Sequence, residues 1–209
     1  MKTLFKLKIK RNNTKNGFTI IELLFGISIF TIIVLVLTLF SRNIWIYSSY
    51  ITAGLKASDS GRSSIKTMTK EIRTASVAET GAYIINQANN NTFIFYSDVD
   101  KDGLKERIKY FIENNTLKKG LTKPTGSPLS YNLANEKIYI LVENIINNSI
   151  FEYYDKNYDG NTVPLTEPIN IPAIRLVKIN ITTDENTNRS PAPINFSTQV
   201  SLRNLKDNL

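Results

Sequence analysis

The chain has 209 residues, 42% of them apolar and 21% charged, which excludes wholesale disorder and allows one domain with an extension or two small domains. It contains no cysteine and no histidine, so disulfides, thiolate or imidazole metal sites, cysteine nucleophiles and Ser-His-Asp or Cys-His triads are all excluded. The net charge of +8 is local: residues 1–17 hold six Lys or Arg and no acidic residue, and the other 20 basic residues face 18 acidic ones. Nucleic-acid binding needs positive charge clustered on the folded body, and none is seen there, so no nucleic-acid partner is expected.

The first element follows this basic leader. Residues 18–40 read FTIIELLFGISIFTIIVLVLTLF, with Glu22 as the one ionisable group. At 1.5 Å per residue a helix of this length spans roughly 35 Å, enough for a hydrocarbon core of about 30 Å. The excess of Lys and Arg before the segment places the leader in the cytoplasm and the rest outside it. Trp45 and Tyr47, just past the span, fit interfacial anchors. Three readings compete here. A cleaved secretory signal needs a shorter apolar core and a small-residue cleavage site after it, and Leu39-Phe40-Ser41-Arg42 is a poor match. A plain membrane anchor leaves Glu22 unexplained, because a carboxylate inside an apolar helix costs about 2.5–3.5 kcal/mol and calls for a partner.

The third reading rests on Lys15-Asn16-Gly17-Phe18-Thr19-Ile20-Ile21-Glu22-Leu23. This stretch resembles the processing site of type IV prepilins and type II secretion pseudopilins. The resemblance implies that prepilin peptidase cuts between Gly17 and Phe18 and methylates the new amino-terminal Phe18. Glu22 then becomes the fifth residue of the mature chain and, as the family implies, meets the terminal amine of a neighbouring subunit during assembly. The chemistry is coherent. Gly17 lets the scissile backbone approach the protease, and a charge pair in a low-dielectric setting enforces register because either charge alone is costly.

Helical spacing continues past Arg42. Ile44, Tyr47, Ile51 and Leu55 form one stripe, and Ile65, Met68 and Ile72 resume it. The pattern predicts one helix over residues 18–78, with Gly54 and Gly61 each weakening it by about 1 kcal/mol. Its second half should pack on a sheet. Asp59-Ser60-Gly61-Arg62 and Lys70-Glu71-Ile72-Arg73-Thr74-Ala75 resemble the same region of J-type minor pseudopilins and related minor pilins, and their charges read as a solvated face with local ion pairs.

Beyond Tyr83, runs of Ile, Val, Phe, Tyr and Thr alternate with Asn, Asp, Gly and Pro. They predict strands over residues 92–97, 107–113, 137–143, 149–154, 174–183 and 194–202, and loops over 124–135 and 184–193. Ser201-Leu202-Arg203-Asn204-Leu205 resembles the closing strand of J-type and related minor pilins. Two loops are candidate calcium sites. In one, Asp98, Asp100 and Asp102 alternate before Gly103, with Glu106 further on; in the other, Asp155, Asn157 and Asp159 precede Gly160. The twelfth position of an EF-hand loop would be Lys109 or Thr166, so the same residues also read as turns closing hairpins. No phosphate-binding loop, dinucleotide fingerprint or paired-carboxylate spacing suggests an enzyme.

The expected architecture is α+β: a leader over 1–17, a membrane or filament-core helix over 18–40, its amphipathic continuation over 41–78, and a head over 79–209 built on a mostly antiparallel sheet. The resemblance implies a minor pilin or pseudopilin of a type IV pilus, competence filament or type II secretion pseudopilus. It would sit in the bacterial inner membrane before joining a filament. Its partners would be other pilin subunits, prepilin peptidase and membrane lipid, with no cofactor beyond structural calcium. The alternative is a single-pass, membrane-anchored extracytoplasmic binding module that does not polymerise.

Overall fold

The computed structural model describes residues 17–184 and 192–205. The expected leader up to Asn16 and most of the expected 184–193 loop lie outside the described residues. Two compact units divide the chain, residues 1–48 and residues 49–209.

In the first unit the helix α1, Ile20–Arg73, begins. Its apolar residues here, among them Leu24, Phe30, Ile33, Leu37 and Phe40, are all exposed. A helix apolar on every face has no soluble core to face, and its length and composition suffice to cross a membrane. Ser28 and Thr31 donate their hydroxyls to the carbonyls of Phe25 and Ser28 at 2.8 Å, and Thr38 donates to Val34 O at 2.8 Å. The few polar groups of the segment are therefore satisfied within the helix.

In the second unit the same helix becomes one-sided. Gly61, Ser64, Met68, Glu71 and Ile72 are buried. Five strands form an antiparallel meander: β1 Ile85–Ala88, β2 Thr92–Ser97, β3 Glu106–Glu113, β4 Thr116–Thr122 and β5 Lys137–Val142. Three more form a second antiparallel sheet, β6 Phe151–Tyr154, β7 Leu176–Thr183 and β8 Ile194–Ser201. One core joins Met68 and Ile72 to Phe93, Phe95, Tyr110, Phe151, Tyr153 and Ile179. On β7 every second residue from Val177 to Thr183 is buried, the period of a strand with one face inward.

The α+β class is as the sequence predicts, with the sheet divided in two. Several boundaries differ. The helix starts at Ile20 rather than Phe18, because Thr19 caps it. It stops at Arg73 rather than Ala78: the Ser76 amide donates to Tyr96 O at 2.9 Å, and Ala75 and Ala78 turn into the core. The 201–205 segment is no closing strand. β8 ends at Ser201, and Arg203–Leu205 is a 3-10 turn. Strands β1 and β4 were not anticipated, since Ile85–Ala88 is half polar and β4 carries Lys118-Lys119-Gly120.

Glu71 also departs from expectation. It is buried rather than on a solvated face. Gly61 has a packing reason: an added Cβ would lie 2.3 Å from the Phe196 ring on β8.

Candidate functional site

The start of α1 carries the residues expected for processing and assembly. Gly17, Phe18 and Thr19 lie outside regular structure, and Phe18 is 90% exposed. The scissile bond of the expected cut is therefore on accessible, non-helical chain, as a protease needs. Thr19 fixes that boundary. The Glu22 amide donates to Thr19 Oγ1 at 3.3 Å, while Glu22 Oε2 accepts the Thr19 amide at 2.9 Å and the Thr19 hydroxyl at 2.9 Å. This is a capping box, in which two amides left over at a helix start are satisfied reciprocally. The Leu23 amide then donates to Thr19 O at 3.1 Å, the first bond of the helix ladder. Glu22 thus has a local partner in the chain itself. Thr19 was missed in the sequence, although Thr-x-x-Glu before an apolar run is a readable signal.

The second cluster closes the β2–β3 hairpin. Ser97 pairs with Glu106, so Asp98 leaves β2 as Glu106 enters β3. Lys101 and Gly103 take positive φ values of 64° and 93°, the left-handed turn that Gly103 accepts without strain. Four carboxylates flank the turn, each fixed through one oxygen. Asp98 Oδ2 accepts the Gly103 amide at 3.1 Å, Asp100 Oδ1 the Asp102 amide at 3.3 Å, Asp102 Oδ1 the Leu104 amide at 2.9 Å, and Glu106 Oε2 the Val99 amide at 2.9 Å. Oxygens of Asp98, Asp100 and Glu106 lie within 4.8 Å of one another.

Lys123, which follows β4, enters this cluster. Its ammonium bonds Asp100 Oδ2, approaches Asp102 Oδ2 at 3.3 Å and stands 3.9 Å from Glu106 Oε1. The hydrogen bonds it donates to Asp100 and Asp102 hold its pKa well above that of an ordinary lysine, and the Lys123 bond holds Asp100 below the usual carboxylate range. Burial pushes the Glu106 carboxyl up. No local spacing reveals Lys123, because the β3–β4 pairing brings it there. Lys109, at the twelfth position expected of an EF-hand, sits on β3 with its ammonium 4.2 Å from the centre of the Phe111 ring. The fourth carboxylate comes from Glu106 instead.

The other candidate loop closes on itself. Asp155 Oδ1 accepts the Asn157 amide at 2.9 Å, and Asn157 Nδ2 donates to Asp155 Oδ2 at 3.1 Å. Asp159 Oδ1 accepts the amides of Asn161 and Thr162 and the Thr162 hydroxyl. These bonds make a turn, and both Asp155 oxygens and Asp159 Oδ1 accept from the loop's own donors.

The family model of the prokaryotic N-terminal methylation motif matches residues 12–38, a stretch that contains Gly17, Phe18 and Glu22. No curated protein matches the chain significantly. The motif match and the apolar start of α1 support a type IV pilin-like chain that is a substrate of prepilin peptidase, and they fit anchoring in the inner membrane.

Proposed function

We propose that this chain is a minor pilin or pseudopilin subunit of the J-like type, with a structural rather than catalytic task. The observation that carries the reading is the methylation-motif match over residues 12–38. Prepilin peptidase removes residues 1–17 and methylates Phe18. Residues 18–40 wait in the membrane, leader side cytoplasmic, and then pack among equivalent helices in a filament. The second half of α1 carries the two-sheet head outside the membrane.

The capping box refines the part played by Glu22. In the uncut chain its carboxylate faces the Thr19 amide and hydroxyl. After the cut, the Phe18 amine appears one residue before Thr19, within reach of the same helix start. A positive amine from this or a neighbouring subunit then meets a carboxylate already held at the rim of the helix. A pair of this kind tolerates little misregister, because stranding either charge in an apolar setting costs several kcal/mol.

Mass spectrometry of the chain from cells with and without the peptidase tests the proposal. A mature terminus at methylated Phe18 is expected, together with loss of Glu22→Ala from sheared filaments. Persistence of residues 1–17 and full tolerance of Glu22→Ala would instead establish the membrane-anchored module that does not polymerise.

A further inference from the structure

We propose that the β2–β3 loop is a calcium site, with Asp98, Asp100, Asp102 and Glu106 as ligands and the Lys123 ammonium as a built-in competitor. The inference stands independently of the filament reading. It rests first on Glu106, which is fully buried and whose Oε1 has no hydrogen-bond partner. Glu106 also has a carboxylate oxygen within 4.8 Å of oxygens of Asp98 and Asp100. Asp98 Oδ1 is likewise buried and without a hydrogen bond. Oxygens that share one calcium ion at 2.3–2.6 Å can be no more than about 5 Å apart, so the spacing suits the ion.

Lys123 satisfies the cluster only in part. An ammonium is a compact charge with three donors, and here it reaches Asp100 and Asp102 but stops 3.9 Å short of Glu106 Oε1. Two buried carboxylate oxygens are left unbonded, and the four carboxylates outnumber the cations that face them, Lys123 and, for Asp98, Lys105. A divalent ion seated deeper in the cluster than the Lys123 ammonium bonds both orphaned oxygens and neutralises more of the charge. The ligands are all hard oxygens, with no nitrogen or sulfur, which excludes a preference for soft transition metals. Four carboxylates on a loop bent at Gly103 suit the adaptable coordination of calcium better than the strict octahedron of magnesium. The backbone bonds to the second oxygen of each carboxylate hold the ligands in place, so the ion need displace only the Lys123 side chain, which is half exposed.

Isothermal titration of the full chain in detergent micelles, stripped with EDTA, tests the site with Ca²⁺ and with Mg²⁺ as the comparison. Expected is Ca²⁺ binding with a Kd of about 10⁻⁴–10⁻³ M, the range of extracellular modules, and at least about tenfold weaker Mg²⁺ binding. Glu106→Gln should weaken Ca²⁺ binding by about tenfold or more. Asp100→Asn, at an exposed position that leaves the core intact, should do the same. Lys123→Met should tighten it by about tenfold by removing the competitor. Wild-type protein that binds no Ca²⁺ at about 10 mM would overturn the site. So would binding that Asp100→Asn leaves unchanged, and Lys123→Met binding no tighter than wild type would overturn the competition.

Discussion

Tyr110 donates its hydroxyl to Glu71 Oε2 at 2.5 Å, joining β3 to the last turns of α1. The other oxygen of Glu71 accepts Lys119 Nζ at 2.6 Å. Tyr110 and Lys119 are direct partners across the β3–β4 ladder, so one helical carboxylate clamps a cross-strand pair. The Lys119 and Glu71 side chains are only 11% and 9% exposed. Burial, and then the Glu71 charge, hold the Tyr110 hydroxyl well above its ordinary pKa, so it remains a donor. The clamp explains how a helix and a sheet with few polar contacts settle in one register.

Breaking that clamp from the carboxylate side should be costly. Glu71→Ala leaves the Lys119 charge without its counter-ion in a nearly dry place, for a loss of about 3–5 kcal/mol. Tyr110→Phe removes one bond and leaves Glu71 its lysine, for about 1–2 kcal/mol. Urea unfolding of the full chain in micelles, followed by near-ultraviolet circular dichroism, should rank them so. A cycle with Lys119→Met should show a coupling of more than about 0.5 kcal/mol with Glu71→Ala.

Gly61 makes the second prediction. Helix propensity alone favours Gly61→Ala by about 1 kcal/mol. The Phe196 ring occupies the space, 2.3 Å from where the new Cβ would sit. Overpacking of this kind costs about 1–3 kcal/mol, so the substitution should destabilise the head or leave it no more stable, against the trend for exposed helical glycines. Phe196→Leu in the same chain should restore the gain. A rise in Tm for Gly61→Ala alone would refute the contact.

What the sequence made legible follows from how local each signal is. The apolar run, the basic leader and the Gly17-Phe18 motif are contiguous, and the strands with alternating apolar residues, such as β7, were found within two residues. β4 was missed because Lys118 and Lys119 mask its period; their partners, Glu113 and Glu71, are not adjacent in sequence. The Asn114-Asn115 turn, with φ values of 52° and 57°, is the local signal that could have revealed the β3–β4 hairpin. Glu71 read as a surface charge because nothing within its own helix shows a lysine brought in by the sheet. For the same reason the alternating acids from Asp98 to Glu106 are visible in the sequence while Lys123 is not.

The capping box gives a third prediction. Thr19→Val keeps the shape of the side chain and deletes the hydroxyl that accepts the Glu22 amide. A lost cap costs about 1 kcal/mol, and the effect should be confined to the first turn of α1. Amide exchange of Glu22 and Leu23 in micelles should accelerate by about fivefold, with Leu37 unchanged. Thr19→Ser should restore protection. Equal exchange in all three proteins would show that the box contributes nothing to the helix start.

Acid stability supplies the fourth prediction, through Glu152. Its Oε2 accepts Lys178 Nζ at 2.8 Å and the Tyr154 hydroxyl at 2.9 Å. The Lys178 bond above all, opposed by burial and aided by Tyr154, holds the Glu152 carboxyl below its ordinary value of 4.5. A carboxyl lowered by folding stabilises the fold above its unfolded value, and that stability disappears as pH falls through the depressed folded value. Glu152→Gln should therefore be less stable than wild type near neutral pH, and the gap should shrink as pH falls below 4.5 and through the depressed folded value. Because the side chain is about one-third exposed, the gap should be under about 1 kcal/mol. Urea unfolding from about pH 3 to 7 measures it. A gap that widens in acid would reverse the assigned sign and show that Lys178 does not stabilise the ionised carboxylate.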